Sequence, residues 1–188
     1  MKYRIYAHRF TLLAFAAVVL AASFFATGCG NSAYDDIDWQ LTIIGDEEIV
    51  LEFRELLDMD SCSGTSGFFT TVGVINGPFE IKGIPLLDIC DLAGGVGPTE
   101  FVRVSAVDKY SMVLSYNQLN GQFITYDTGL HEVENDGLIV ALIYELDDKP
   151  LTEDMGSPLR LALIGDNVLT EGMYWVKWIN KIEILNFD

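Results

Sequence analysis

The sequence predicts an α+β domain, a β-rich mixed sheet with short helices. Roughly seven segments read as strands, either alternating apolar with polar residues or running apolar throughout. Only two short stretches, residues 51–59 and 84–95, place apolar residues at helical spacing. Strands and helices do not alternate along the chain as they would in a parallel α/β sheet.

The elements follow in order from Trp39. "WQLTII" alternates and stops at "GDEE", a turn signal. "LEFRELLDM" sets Leu51, Phe53, Leu56 and Leu57 on one side of a short helix. "DSCSGTSGFF" is small and polar and reads as a loop carrying Cys62, ahead of a strand in "FFTTVGVI" that "NGP" ends. "IPLLDICDLAGG" reads as a helix with Pro85 in its first turn and Gly94 beyond its end. Leu86, Ile89, Cys90 and Ala93 share one face of it, so Cys90 reads as a core residue. "EFVRVSA" and "SMVLSY" are strands joined by a tight hairpin at "VDKY". "GLIVALIYEL" is apolar throughout, as expected of a strand buried on both faces, and "DDKP" ends it. "LRLALIG" and "WVKWINKIEIL" complete the set, with Trp175 and Trp178 of opposite strand parity and Lys177 facing solvent.

The ends of the chain speak to location. Lys2, Arg4, His8 and Arg9 precede an apolar run from Phe10 to Ala26 that is closed by "ATGC" at Cys29. This is the order of an export signal, and the run is short for a membrane span. "ATGC" resembles the lipobox of bacterial lipoproteins, which implies cleavage before Cys29 and acylation of its sulfur. The expected organisation is a signal at 1–28, an acidic tether at 29–38 and one domain at 39–188, held outside the cytoplasm on the cell membrane through its lipid. Removing residues 1–28 leaves 8 basic residues against 28 acidic ones, a net charge of −20 where the full chain carries −17. Such a chain repels phosphate backbones, which excludes nucleic acid as a partner. With Cys29 acylated, only Cys62 and Cys90 remain; this is no disulfide framework, though one bridge between them is compatible with an oxidising compartment.

Five segments, taken in order, resemble the sulfite-oxidase-type molybdopterin-binding domain. "IKGIPLLDICDLAGG" is similar to that family's G-x-P-L helix, "VSAVDKYSMVL" to its S-x-D-G-Y hairpin, and "IVALIYELDDKPL" to its strand and turn ending in PL. "GSPLRLALIG" resembles G-x-P-x-R-L, and "YWVKWINKIEI" resembles the VKW segment. The resemblance implies a sulfite-oxidase-like fold from about Trp39 to the end. It also implies that Arg160 and Lys177 would bind the phosphate and rings of a molybdopterin. An arginine fork and a compact ammonium suit phosphate oxygens.

The departures concern the metal. Active members hold molybdenum through a cysteine thiolate at a strand end, a soft donor suited to it. The comparable strand here, "FFTTVGVI", has no cysteine, and Cys62 lies several residues too early. Met155 stands near the family histidine, and Lys109 replaces the hairpin glycine, which disfavours a left-handed turn there. The signal carries His8–Arg9 in place of a twin arginine, and a chain exported unfolded would not take an inserted cofactor with it. Cys62 is therefore not assigned as a metal ligand, molybdenum is not expected, and no catalytic residue is assigned. His131 reads as a solvated loop residue.

Three functions remain in view. The first is a surface lipoprotein that keeps the fold and binds a small ligand or a partner. The second is an active molybdopterin-dependent oxidoreductase using Cys62. The third is an accessory subunit docking on a membrane redox partner through "GMYWVKW". The sequence has no CxxC, HExxH, phosphate loop or G-x-S-x-G elbow, so Ser66 is no nucleophile. The scattered carboxylates match no spaced calcium loop.

Overall fold

A computed structural model describes residues 33–135 and 137–186. The signal segment at 1–28 and the acylation site at Cys29 lie outside the described residues. Of the 29–38 stretch, the described part is not a free tether. The Tyr34 ring packs 5.9 Å from Phe53 and 6.0 Å from Tyr144, its hydroxyl donates to Glu145 Oε1 at 2.7 Å, and Ile37 packs on the core.

Two sheets form the fold. The first has the order β2-β1-β13-β5-β6, built from β1 (Gln40–Ile44), β2 (Glu48–Glu52), β5 (Glu100–Ala106), β6 (Ser111–Ser115) and β13 (Ile179–Asn186). β1 runs parallel to β13, with Thr42 opposite Lys181, and the other pairs are antiparallel. The second has the order β10-β9-β4-β3-β12-β7-β8, with β11 also on β9. Its long members are β3 (Cys62–Phe69), β4 (Ile75–Pro85) and β9 (Ile139–Leu146). The rest are β7 (Thr125–Tyr126), β8 (Glu132–Val133), β10 (Lys149–Pro150), β11 (Arg160–Ile164) and β12 (Val168–Glu171). Three short helices, α1 (Phe53–Leu57), α2 (Leu86–Asp91) and α3 (Tyr116–Leu119), join them. The α+β class holds, while the strands among the described residues number thirteen where about seven were expected.

The apolar run in β9 has a direct cause. Val140, Leu142 and Tyr144 face the main core together with Leu41, Ile43, Val104 and Ile182 of the first sheet. Ala141 and Ile143 face a second cluster on the other side, with Ala162, Ile164 and Trp175. Positions covered on both faces favour apolar side chains, and the strand's one charged residue, the half-buried Glu145, stands near its end where it accepts from Tyr34. Cys90 is fully buried in the main core, as its helical spacing predicted.

Three expectations are corrected. Cys62 is not in a loop: it is the first residue of β3, paired with Gly83, and "FFTTVGVI" is the end of that strand followed by a turn. The small residues belong there because neighbouring backbone presses close; a Cβ on Gly64 would stand 2.8 Å from the Gly165 carbonyl. Close packing of this kind leaves no apolar period to read. Lys109 does adopt the left-handed conformation, with φ 74°. Asp108 Oδ1 accepts the Tyr110 N–H at 2.9 Å, and Lys109 N–H bonds Ala106 O at 3.0 Å. These bonds offset a conformational cost of about 1 kcal/mol. Residues 175–178 are not strand either. A 3-10 turn at Gly172–Tyr174 leads into them, Trp178 has φ 56°, and β13 starts only at Ile179. Trp175 and Trp178 therefore do not pack on opposite sheet faces, and Lys177 is not an alternating strand residue.

The doubly covered strand gives a stability prediction. Leu142→Ala removes a fully buried side chain from the main core and should lower the unfolding free energy by about 2–5 kcal/mol in a urea titration. A loss below about 1 kcal/mol would contradict the packing described for β9.

Candidate functional site

One cleft brings together the two basic residues singled out from the sequence. Arg160 opens β11, and Lys177 lies in the irregular segment before β13. The loop at 152–159 and the segment at 172–178 are stitched to each other. Leu161 N–H bonds Val176 O at 2.8 Å, Ile179 N–H bonds Leu159 O at 3.0 Å, and Trp178 Nε1 donates to Glu153 O at 2.9 Å. Gly156 makes this approach possible. Its φ is 103°, and a Cβ there would meet Lys177 Cβ at 2.8 Å.

The resulting cleft has a volume of about 450 Å³, within the range of small-molecule sites. Its walls are aromatic: Phe68 from β3, Phe79 from β4, and Trp175 and Trp178. Phe68 and Trp175 lie with ring centroids 4.9 Å apart, and Phe79 stands 6.2 Å from Trp175. Asp108 and Tyr110 reach the cleft from the β5–β6 hairpin, and Asp154 and Met155 from the opposite loop.

Arg160 is the unusual member. It is only 6% exposed, and its guanidinium carbon lies 5.2 Å from the centroids of both Phe68 and Trp175. Nε donates to Trp175 O at 3.3 Å and Nη1 donates to Met155 O at 3.1 Å. Those two bonds use two of its five N–H donors. No carboxylate pairs with it among the described residues. Burial lowers its pKa to about 10, which still leaves it a cation at neutral pH. A buried cation without a counter-charge is costly, and an oxyanion in the cleft would offset that cost. Trp175, its main support, is itself fixed: its Nε1 donates to Thr170 Oγ1 at 3.0 Å, and that hydroxyl donates to Gly67 O at 3.4 Å.

Lys177 sits at the rim. Its ammonium donates to Asp154 O and lies 5.6 Å from the Trp178 ring centroid. The Asp154 carboxylate is held below its usual range, first by the hydroxyl of Thr152 and then by its backbone contacts and Lys177. Lys177 thus offers a positive charge at the mouth of the cleft, while Arg160 offers one within its wall.

The thiols are elsewhere. Cys62 does not line the cleft. It begins β3, six residues before Phe68, which at the rise of a strand is roughly 15–20 Å away. Its Sγ donates to Gly83 O at 3.6 Å, and burial raises its pKa. Cys90 is buried in the other core, where desolvation pushes its thiol up to about 12. Both are free, with no bridge between them. Among the described residues no three His, Cys, Asp or Glu converge as a metal site. His131 is exposed and pairs with Asp127 at 3.3 Å.

This donor set fits a molybdopterin in part. Arg160 and Lys177 suit its phosphate, and the aromatic walls suit its rings. Among the described residues no cysteine lines the cleft, and Met155 is part of its wall. The aromatic walls and Asp108 were missed from the sequence. Phe68 and Phe79 flank "NGP", which looked like a break; β4 runs through Pro78 because the β3–β4 register shifts between Ser66 and Phe68.

A family model described as the oxidoreductase molybdopterin binding domain matches residues 30–188. Among solved structures, the crystal structure of the sulfane dehydrogenase SoxCD from Paracoccus pantotrophus is similar, with a TM-score of 0.62 at 18% sequence identity. The match covers 83% of this chain and 39% of that chain, so this chain spans well under half of its length. At that identity the likeness is one of fold. No curated protein matches this chain in sequence.

The thiol environments are directly measurable. In a thiol-reagent time course on native protein, mapped by mass spectrometry, Cys62 should label more slowly than free cysteine and Cys90 only after unfolding. Cys62 labelling faster than free cysteine would place an activated thiolate there and contradict the environment described.

Proposed function

The chain belongs to the oxidoreductase molybdopterin-binding domain family, and from that premise we propose that it is a binding module for a phosphate-bearing ligand held in the Arg160 cleft without thiolate-ligated molybdenum. The observation that carries the reading is Arg160, buried between Phe68 and Trp175 with no carboxylate partner among the described residues. A domain selected only for stability gains nothing from an unpaired buried cation. Lys177 at the rim adds a second charge that draws an anion inward against the acidity of the whole chain.

Molybdopterin is one phosphate-bearing ligand that Arg160 and Lys177 would hold. When bound, it would supply a pterin and its dithiolene sulfurs; the chain's own residues bind its phosphate, flank its rings and exclude water. The alternative, an active oxidoreductase working through Cys62, needs that sulfur in the cleft, and the length of β3 weighs against it. Fold alone does not carry the activity across. We place the module outside the cytoplasm, anchored through acylated Cys29; a Cys29→Ala chain should then leave the membrane fraction.

The test combines metal analysis with ligand-dependent stability. Protein made in a cofactor-competent host should contain no stoichiometric molybdenum. Inorganic phosphate should raise the unfolding free energy of the wild type, by about 2.7 kcal/mol at a hundredfold excess over Kd, and should not do so for Arg160→Gln. Stoichiometric molybdenum that is lost in Cys62→Ala would overturn the reading.

A further inference from the structure

The Arg160 cleft does not end at its aromatic wall. Phe68, Gly172 and Met173 also line a second hollow of about 360 Å³, completed by Phe69, Thr70, Thr71 and Glu171. The two spaces share those three residues and so adjoin. The second differs in chemistry, because no basic residue lines it and both phenylalanines at the end of β3 contribute to its lining. Phe69 is fixed edge-on against Tyr126, with centroids 4.9 Å apart, and the Tyr126 hydroxyl holds the one acid, Glu171, at 3.5 Å. Met173 is half exposed at the shared edge, an adaptable thioether wall. Beyond it the turn after β3 carries Val72, 82% exposed. The cleft that holds Arg160 thus adjoins a mostly apolar hollow across Phe68, Gly172 and Met173.

Resting on the reading of Arg160 as an oxyanion site, we propose that the ligand is an anionic amphiphile. Its phosphate head sits at Arg160 and a short apolar tail lies in the hollow along Phe68, Phe69 and Met173. A simple inorganic anion would leave that hollow to water, and a ligand polar at both ends would desolvate its far end against two phenyl rings. The same chemistry reaches the cleft from two sources, a soluble alkyl phosphate or the headgroup region of an anionic lipid.

The experiment uses the mature chain from residue 29 carrying Cys29→Ser, so that neither lipid nor detergent competes for the hollow. Residues 33–186 contain both sheets and both hydrophobic clusters. Affinities for inorganic phosphate and for ethyl, butyl, hexyl and octyl phosphate are read from tryptophan fluorescence. Each methylene buried should tighten binding by up to about fourfold, the factor equivalent to about 0.8 kcal/mol, until the hollow is full. Met173→Gln should lower the ratio of octyl phosphate to inorganic phosphate affinity by at least about threefold, since it replaces an apolar wall by an amide. Phosphatidylcholine vesicles with and without phosphatidic acid then separate the sources. Competition with octyl phosphate only by the doped vesicles assigns a lipid, and no competition assigns a soluble ligand. Phosphate binding with a flat chain-length series would overturn the amphiphile and leave the oxyanion site standing. No phosphate binding at all would remove the oxyanion site and this inference with it.

Discussion

The guanidinium of Arg160 has given up nearly all its water and received two carbonyls and two aromatic faces in return, but no carboxylate partner among the described residues. Each ring face contributes about 0.5–2 kcal/mol and each charge-assisted hydrogen bond about 1.5–3 kcal/mol. Together these are of the same order as the several kcal/mol that desolvating the cation costs. The balance is close enough for the residue to be held in place, and it leaves the positive field unspent. That unspent field, aimed into a cleft on an otherwise acidic protein, is what the functional reading depends on.

The rest of the architecture serves to hold that arginine still. β11 places Arg160 at the edge of a sheet whose neighbouring strand, β9, is buried on both faces and so anchors both cores. Trp175 is locked through Thr170 to the backbone of β3, and the two loops of the cleft are tied across Leu161, Trp178 and Ile179. A change in the Thr170–Trp175 contact would reach Arg160 through both its stacking face and its Trp175 carbonyl partner. By contrast, β3 carries its thiol to the far end of the sheet, so the strand that supplies the aromatic wall at Phe68 cannot also supply a sulfur there.

Much of the fold was legible because it follows from periodicity. The run "GLIVALIYEL", the β5–β6 hairpin and the α2 face with Leu86, Ile89 and Cys90 all appear where their spacing put them. The resemblance identified Arg160 and Lys177 as a pair, and the structure brings them to one cleft. What escaped has a common cause. β3 is written in serine and glycine because backbone crowds it, so its strand character lies in tertiary contact and not in its own pattern. Lys109 takes a glycine conformation because Asp108 supplies a local bond. Trp175 and Trp178 leave the strand pattern because their indoles are committed to Thr170 and Glu153. The aromatic walls come from three separated segments, and no spacing within any one of them records that they meet.

The central claim is that Arg160 is a cation awaiting an oxyanion, and arginine-selective NMR reads it directly. With inorganic phosphate titrated into isotopically labelled protein at neutral pH, the Nε–H and Cζ signals of Arg160 should move and saturate at one phosphate per chain. The signals of exposed Arg54 and of half-buried Arg103, each paired with a carboxylate, should not saturate with them. Arg160 signals that stay fixed throughout the titration, or that shift only in step with those of Arg54 and Arg103, would contradict the account.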